Sequence, residues 1–443
     1  MIVYLLGKTF LINLFNENLR DFFQLKFHFG RTLFSFKHLQ TKATNCLIIK
    51  KNMNRLFLFL FVLTLINCTN QEKESTIDTE KILSQNVEKT KKTGIGTSPS
   101  QGFARNIPKS ETKWESVGVR DWCSGFWPGV LWYAYEASGD ETLKDQAEKF
   151  TEPLKTIAYS SAENHDIGFM LYSSYGNGYR LTKNEEYKNV LLAAADTLAT
   201  LYNPNVGSIL SWPSQTQYRH NTIIDNMMNL ELLFWASKNG GDQKLYDIAE
   251  SHALVTMKNL VRKDSAIYHV GSFDEETGKF LKGQTHQGYA DESMWARGQA
   301  WGIYGFSLAY RETNRDEFLD TAIKVSDHFL NRLPEDGIPF WDFDDPNIPD
   351  APKDASAAAI AACGLLELSK FVKNEEQSER YVQAATKMIS LLSDQPYYSG
   401  ETNQALLLHS TGHYPKNSEI DVPIIYADYY YMEALLRLQK AKS

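Results

Sequence analysis

Cysteine is scarce in this sequence and scattered along it. The 443 residues include only four cysteines, at Cys46, Cys68, Cys123 and Cys363, with no CxxC pair among them. So few and so widely spaced thiols exclude a disulfide-stapled scaffold and a cysteine-rich zinc module. The ten histidines are also dispersed, without an HExxH motif or a clustered triad. The sequence therefore predicts no metal site.

An excess of positive charge is also missing. The formal net charge is -8 and the isoelectric point is about 5.8, whereas nucleic-acid binding selects a strongly basic face. We therefore expect no nucleic-acid partner, and an anionic substrate would require a local basic group. No GxSxG nucleophile elbow and no phosphate-binding glycine loop occurs. With these nucleophile and phosphate-binding motifs excluded, acid–base catalysis by carboxyl groups is the remaining catalytic chemistry.

Long hydrophobic runs are lacking, and the one notable apolar stretch is short. Residues 56–66 are apolar, follow the basic start Met53-Asn54-Arg55, and lead into a polar tail after Cys68. A membrane-spanning helix needs about 20 apolar residues, so residues 53–68 are predicted to be a secretory signal. Leu65-Ile66-Asn67-Cys68 resembles a bacterial lipoprotein cleavage site, which predicts lipidation at Cys68.

This signal predicts an exported protein, held in the periplasm or at the cell membrane by a lipid anchor. A plain signal peptide and an uncleaved anchor are the alternatives. Because a signal belongs at the extreme N-terminus, residues 1–52 are predicted to come from a start assigned too early. Residues 69–106 are rich in Lys, Glu, Ser, Thr and Gln and are predicted to be a polar tether with one amphipathic helix near Ile77 to Lys91.

From Trp114 onward the sequence repeats one pattern. An aromatic and small-residue helix is followed by a short turn rich in Gly, Asn and Asp, and then by an amphipathic helix, which together predict a helical hairpin. A last helix has no successor, and the helix before Trp114 is a candidate partner for it. The predicted pairs are residues 126–137 with 141–157, 167–180 with 185–201, 226–238 with 243–261, 296–311 with 316–333, and 355–372 with 375–392, followed by 424–440.

Six such hairpins can be arranged in two ways. Repeats of about 40 to 60 residues indicate stacked helix pairs, which form either an open superhelix or a ring of six inner and six outer helices. The candidate inner helices carry few charges, as expected of helices surrounded on all sides. We therefore predict an all-α fold, a closed (α/α)6 barrel forming a single catalytic domain over residues 107–443, whose loops at one end converge on a pocket.

Two aspartates occupy the same place in successive repeats, directly before an apolar inner helix. They are Asp166 and Asp225. Aspartate is a favoured N-cap that stabilises a helix start by about 1 kcal/mol, so either residue can be only a cap. Both side chains are nevertheless expected at one end of the barrel. A carboxyl group partly removed from water there has a raised pKa and can donate a proton.

The densest mixture of polar and aromatic residues leads into the fourth inner helix. Arg297 and Trp301 are four residues apart on that helix and share a face. An arginine fork binds a carboxylate with two hydrogen bonds, and a tryptophan offers a flat platform to a sugar ring. Alternatively, Arg297 pairs with Asp291 or Glu292 to close the helix start. His269, in an earlier loop, is either a substrate ligand or a satisfied loop histidine.

Taken together, these motifs closely resemble glycoside hydrolase family 88, the unsaturated glucuronyl hydrolases. They follow one another in order through nearly the whole chain after the predicted tether, which is far more specific than any single motif. The segments are Ser124 to Gly129, His165 to Phe169, Ile223 to Leu230, His286 to Trp301, Lys353 to Ala359, and Leu406 to Ala427 with His409, Gly412 and His413.

The resemblance implies a barrel enzyme that removes the terminal 4,5-unsaturated uronic acid left on oligosaccharides by a polysaccharide lyase, with no metal or organic cofactor. It implies that Asp225 protonates carbon 4 of the enol ether and then activates water for attack at carbon 5. Asp166 would hold sugar hydroxyls and help to keep Asp225 protonated through its like charge. This hydration differs from the two-carboxylate displacement of common glycosidases. The implied binding residues are Trp127, His269, Gln287, Arg297 and Trp301.

Three other functions compete with this one. Unsaturated rhamnogalacturonyl hydrolases share the barrel and the hydration chemistry, while a surface glycan-binding lipoprotein and a protein-binding helical repeat are not enzymes. The presence of both Asp166 and Asp225 favours the enzyme, because binding alone needs no protonatable pair. The expected partner is an unsaturated uronic-acid oligosaccharide, with chondroitin, hyaluronan, heparin-like chains, gellan and ulvan all open as its source.

Overall fold

The computed structural model describes residues 77–442. The predicted upstream segment 1–52, the signal over 53–68 with Cys68, and residues 69–76 of the predicted tether lie outside the described residues. Among the helices between residues 77 and 442, none is both long enough and apolar enough to cross a membrane.

Helices alternate along the described chain between an inner and an outer ring. Even-numbered helices are inner and odd-numbered helices are outer. In chain order they are α1 (Thr79–Gly94), α2 (Phe126–Ser138), α3 (Glu141–Thr151), α4, α5 (Glu185–Ala199), α6 (Asn226–Lys238), α7 (Gln243–Leu260), α8 (Ala296–Thr313), α9 (Asp316–Arg332), α10 (Ala355–Leu368), α11 (Glu375–Leu392) and α12 (Ile425–Lys442).

Two of these helices are not single regular segments. We use α4 for one continuous helical run of three parts, Ile167–Leu171, the π-helical turn Tyr172–Gly176, and Asn177–Thr182. After α3 the chain continues through a 3-10 turn, Glu152–Leu154, into the short helix Lys155–Ala158.

The inner helices form a closed ring. Each packs against the next, from α2 through α4, α6, α8 and α10 to α12, and α12 returns to α2. Outer helices cover the grooves between neighbouring inner helices, and α1 fills the groove between α12 and α2. The predicted (α/α)6 barrel is thus confirmed, with α1 as the partner of the last helix.

The inner ring is apolar because its helices are covered on every side. All residues of α10, ASAAAIAACGLLEL, are buried. A Cβ atom at Gly364 would lie 2.8 Å from the backbone of Tyr304 on α8, so this close approach requires a glycine. The outer helices are amphipathic, and several begin with a side chain that accepts a hydrogen bond from a backbone N–H of the first turn, namely Asp140, Asn184, Asp242 and Asn374.

Residues 77–106 are part of the barrel, so the prediction of a tether over 69–106 is wrong for this stretch. Helix α1 buries Leu83 and Val87 in the common core. The polar composition of this stretch suggested a tether, but some of its polar side chains are buried and have hydrogen-bond partners. Lys89 Nζ, for example, donates to Ser399 Oγ at 2.6 Å. The predicted helix near residues 77–91 exists as α1.

Short strands lie in the loops that lead into the inner helices. They are β1 (Phe103–Ala104), β2 (Ser116–Val117), β3 (Tyr202–Asn203), β4 (Ser208–Ile209), β5 (His220–Ile223), β6 (Val270–Phe273) and β7 (Phe280–Gln284). β1 pairs with β2 and β3 with β4, while β5, β6 and β7 form an antiparallel sheet with β6 in the centre.

This three-stranded sheet positions three predicted site residues. Asp225 follows β5, His269 precedes β6, and Gln287 follows β7. The ladder continues past the paired strands, because the Ile224 amide donates to the His269 carbonyl at 3.1 Å. Residues far apart in sequence are thereby fixed at one place beside the start of α6.

A layer of aromatic rings closes the barrel beneath the helix starts. Trp301 lies 5.2 Å from Phe169 and 5.3 Å from Tyr430, measured between ring centroids. Phe126 lies 5.6 Å from Phe169. A cavity of about 390 Å³, lined by Phe169 and Tyr430 among others, extends from this layer toward the ends of the inner helices. The layer therefore forms the floor of the opposite cavity, which opens where the helices begin.

Candidate active site

A cavity of about 250 Å³ lies at the end of the barrel where the inner helices begin. Its lining includes Asp166, Asp225, Gln287 and Arg297. Four of the seven residues predicted as catalytic or substrate-binding are therefore brought to one cavity. The expectation that both aspartates lie at the same end of the barrel is met.

Neither aspartate caps its helix. Asp166 and Asp225 stand at the N-cap positions of α4 and α6, but neither side chain accepts a hydrogen bond from the first turn. Asp354, at the start of α10, does cap, accepting from the Ser356 amide at 3.1 Å. A simple cap, worth about 1 kcal/mol, does not account for the two cavity aspartates.

Asp225 is a buried carboxyl group with one unsatisfied oxygen. Its residue is 8% exposed, and Oδ2 has no hydrogen-bond partner among the described residues. Burial raises the pKa of Asp225 to about 6, opposed by His165 and Arg297 and assisted by a smaller contribution from Asp166. Removal from water, more than the like charge expected from the sequence, makes this group able to hold a proton near neutral pH.

Asp166 is perturbed in the same direction. Burial raises the pKa of Asp166 to about 7, with the negative Asp121 adding to the rise and Arg105 opposing it. The Nε2 atom of His165 lies 3.4 Å from Asp166 Oδ1. Two carboxyl groups with raised pKa values thus face one cavity, which is an arrangement suited to acid–base catalysis.

His269 lies against Asp225 and is almost completely buried. Its Nδ1 accepts hydrogen bonds from the backbone amides of His286 and Gln287, at 3.2 and 3.1 Å. The neutral ring therefore carries its proton on Nε2, which lies 3.6 Å from Asp225 Oδ2. Burial holds the pKa of His269 well below its usual range. The sequence left open whether His269 is a substrate ligand or a satisfied loop histidine, and the structure places its N–H group beside Asp225.

Arg297 points into the barrel mouth from the first turn of α8 and is 1% exposed. Its guanidinium pairs with Asp354 at 2.9 Å and donates to two backbone carbonyls of residues 411–412, both at 2.6 Å. The alternative pairing with Asp291 or Glu292 is wrong, because the side chain reaches inward to the cap of α10 and not back along its own loop.

The two predicted tryptophan platforms do not line the cavity. Trp127 is buried between the rings of helices, 6.3 Å from Phe150 on α3, because the second position of α2 faces outward. Trp301 is fully buried in the aromatic floor. It shares an inward face with Arg297, as expected, but lies one turn deeper in the barrel. Both assignments are therefore corrected.

Two other tryptophans form walls of the cavity, Trp122 and Trp212. Trp122 lies in the loop just before α2, with its ring centroid 5.1 Å from that of Tyr426. Trp212 lies between β4 and β5, 5.2 Å from the ring of His286. Trp122 stands before an inner helix, as both aspartates do, so the same positional rule would have found it. No pattern in the sequence marks Trp212.

A charged rim completes the cavity. Arg105, inside the predicted tether, pairs with Asp121 and Glu419, each at 2.7 Å. The exposed Lys416 lies at the mouth. No group of three or more His, Cys, Asp or Glu side chains within residues 77–442 is arranged to hold a metal ion.

Sugar chemistry fits this geometry. Paired carboxyl groups can move a proton, half-buried tryptophans can stack on a pyranose, and a guanidinium can hold an acidic group. A six-hairpin barrel with such a mouth defines a carbohydrate-active hydrolase. The sequence profile of Glycosyl Hydrolase Family 88 matches residues 87–440, and the chain belongs to that family.

Curated relatives and solved structures agree with this membership. The chain is 42% identical over 346 residues to an unsaturated glucuronyl hydrolase of Formosa agariphila, covering 77% of this chain and 85% of the relative. It is 39% identical over 329 residues to the unsaturated glucuronyl hydrolase of Bacillus sp. strain GL1, covering 72% and 86%. A solved unsaturated glucuronyl hydrolase specific for heparin is 42% identical, with a TM-score of 0.79 over 82% of this chain and 97% of that one.

Proposed function

We propose that this glycoside hydrolase removes a terminal 4,5-unsaturated glucuronic acid from lyase-generated oligosaccharides of glycosaminoglycan or ulvan type. The supporting observation is the buried carboxyl of Asp225, whose Oδ2 has no hydrogen-bond partner among the described residues, in the same cavity as the guanidinium of Arg297. One group can supply a proton while the other holds the substrate's carboxylate. The names of the relatives point to the same class of substrate.

Binding uses the charge and aromatic walls of the mouth. The carboxylate of the uronic acid binds at Arg297, whose guanidinium lines the cavity. Gln287 supplies an amide in the same cavity, and the ring of the sugar stacks on Trp122 or Trp212. This part of the site recognises a planar, acidic, unsaturated ring.

Catalysis begins with a proton on Asp225. Transfer of this proton to carbon 4 breaks the carbon–carbon double bond and leaves positive charge on carbon 5 and the ring oxygen. Asp166, as a carboxylate, holds the sugar hydroxyls and stabilises that charge. Because the pKa of Asp166 is about 7 and that of Asp225 about 6, the reactive form is the less populated one, in which the pair's single proton is on Asp225. Asp225 is then an anion and can accept a proton from water.

Water adds to carbon 5 as Asp225 takes up its proton, so one water is consumed and the enzyme returns to its starting state. The product is a hemiketal at carbon 5. Its collapse opens the ring and converts carbon 1 into a hemiacetal, which releases the remaining saccharide as an alcohol. No bond to the protein is formed, and a single residue serves as acid and then as base.

The activity can be followed by the ultraviolet absorbance of the conjugated uronate. Purified protein should remove this absorbance from lyase products of chondroitin, heparin or ulvan, and mass spectrometry should show release of the saturated remainder. Unsaturated galacturonyl-rhamnose is the control substrate for the neighbouring enzyme class. The proposal would be contradicted if the protein removed the absorbance of that control alone, or if it removed the absorbance of no substrate in the panel.

We further propose that the protein is exported and lipid-anchored through Cys68, in the periplasm or at the cell membrane. The support is the short apolar run ending at Cys68 and the polar residues after it. Metabolic labelling with a radioactive fatty acid should mark the wild type and not Cys68→Ala. Equal labelling of both, or recovery of the wild type in the cytosol, would refute this localisation.

A further inference from the structure

His165 is a buried histidine that lies between the two cavity carboxyl groups. Its Nε2 atom is 3.4 Å from Asp166 Oδ1, and the negative charge of Asp225 acts on the ring as well. The residue is completely buried, and Nε2 has no conventional hydrogen-bond partner among the described residues. The proton on this ring is therefore placed where it affects both aspartates.

Asn229 contacts the opposite side of the same ring. It lies one helical turn after Asp225 on α6 and is fully buried. Its Oδ1 accepts a hydrogen bond from the Phe169 amide at 2.7 Å. A backbone N–H can only donate, so the oxygen of the Asn229 amide must face Phe169 and the NH₂ group must face His165. Nδ2 of Asn229 lies 3.4 Å from His165 Nδ1.

This contact determines the tautomer of the ring. An NH₂ group requires an acceptor, so His165 Nδ1 is unprotonated and the neutral ring carries its hydrogen on Nε2. Burial lowers the pKa of His165 to about 4, which keeps the ring neutral at neutral pH. The Nε2–H group consequently lies on the side of the ring near Asp166, with Nε2 3.4 Å from Oδ1.

A glycine protects the contact between α4 and α6. A Cβ atom at Gly168 would lie 2.6 Å from both Cα and Oδ1 of Asn229. Any side chain at residue 168 would push Asn229 away from the Phe169 amide and from His165. The first turn of α4 therefore packs directly against Asn229, and this packing requires a glycine at residue 168.

We propose that Asn229 is a positioning residue for the hydration reaction, because it holds His165 in the tautomer that places the Nε2–H group beside Asp166. The inference rests on the proposed function, in which Asp166 acts as a carboxylate and Asp225 carries the proton. A hydrogen-bond donor beside Asp166 favours its ionised form. Asn229 thus links the helix start that bears the acid to the helix start that bears the second carboxylate.

Several groups face the His165 ring. The titratable groups are Asp166, Asp225 and the buried neutral histidines His252 and His269. The uncharged neighbours are Asn226, Asn229 and the edge of the Trp212 ring. Of these groups, only Asn229 has its amide orientation fixed by a hydrogen bond from the Phe169 amide, and that orientation directs its NH₂ group toward Nδ1. The tautomer is accordingly assigned to this residue.

The first test measures the tautomer in the unmodified protein. Protein labelled with ¹⁵N-histidine should show, at neutral pH, a His165 ring protonated on Nε2 and not on Nδ1. Comparison with His165→Gln assigns the signal. A His165 ring protonated on Nδ1 would overturn the proposal, whatever the enzyme's activity.

The second test uses the isosteric variant Asn229→Asp. One carboxylate oxygen still accepts from the Phe169 amide, but the other now attracts a proton to His165 Nδ1. The NMR titration should show a raised pKa for His165, and kcat should fall at least about tenfold with little change in KM. Wild-type kcat together with an unchanged His165 signal would refute the positioning role.

A matched control and a second variant separate this role from damage to the fold. Asn239→Asp makes the same change at the far end of α6 and should leave kcat and the His165 signal unaltered. Gly168→Ala, which displaces Asn229, should reduce kcat in the same direction as Asn229→Asp. If the wild type hydrates no unsaturated uronide at all, the proposed function fails, while the tautomer measurement still tests Asn229.

Discussion

Replacing Asp225 by asparagine should abolish activity and, at the same time, stabilise the fold at alkaline pH. The pKa of this carboxyl is raised from 3.8 to about 6 by burial, a shift of about two units. At about 1.4 kcal/mol per unit, ionisation of Asp225 costs the folded state about 3 kcal/mol. Asparagine has nearly the same shape and no charge, so this cost disappears.

The sign follows from where the proton is held. A carboxyl whose pKa is higher in the folded than in the unfolded state is not penalised below about pH 4, and the penalty grows until the pH exceeds about 6. The free energy of unfolding of Asp225→Asn should therefore equal that of the wild type at pH 4 and exceed it by up to about 3 kcal/mol at pH 8. Loss of the general acid should lower kcat by at least about a hundredfold.

Urea denaturation of both proteins at pH 4, 6 and 8, with activity measured in parallel, tests these expectations. Asp354→Asn is the matched control, because this buried aspartate is paired with Arg297 and its replacement should destabilise by about 3 kcal/mol or more. If Asp225→Asn loses stability at pH 8 as Asp354→Asn does, the carboxyl of Asp225 is not an unfavourably buried charge, and the argument for its protonation fails.

Three further outcomes are expected. Arg297→Lys keeps the charge beside Asp354 but loses the planar fork, so KM should rise at least about tenfold; an unaltered KM would exclude Arg297 from substrate binding. Trp122→Ala should raise KM about tenfold through lost stacking, whereas Trp127→Phe should not, and the reverse result would restore the sequence-based assignment. The value of kcat/KM should fall as pH rises above about 7, because the Asp166–Asp225 pair must keep one proton, carried by Asp225, to act; a rate that still climbs at pH 9 would contradict this role.

The barrel was predictable because its hairpins are repeated in the sequence. Each inner helix is apolar on all sides and is separated from an amphipathic helix by turn residues, and this pattern does not depend on distant contacts. The tether prediction failed for the opposite reason. Helix α1 is polar in composition, and partners such as Ser399 for Lys89 lie more than 300 residues away. Local composition does not reveal such distant partners.

The candidate site was predictable in position but not in detail. Asp166 and Asp225 were located because both directly precede an inner helix, which fixes the end of the barrel at which they lie. Trp127 was misplaced because a helix start does not specify which face its second residue occupies. Trp212 and the Arg297–Asp354 pair depend on which loops and helices meet across the ring, and spacing in one sequence does not encode that.

The last helix of the described domain, α12, closes the inner ring against α2, and α1 covers the groove between them. During synthesis, α12 is the last of these helices to leave the ribosome. Until it does, the earlier hairpins can form only an incomplete ring, in which the apolar faces that pack against α12 are uncovered. Such an intermediate is prone to aggregation and suits capture by a chaperone.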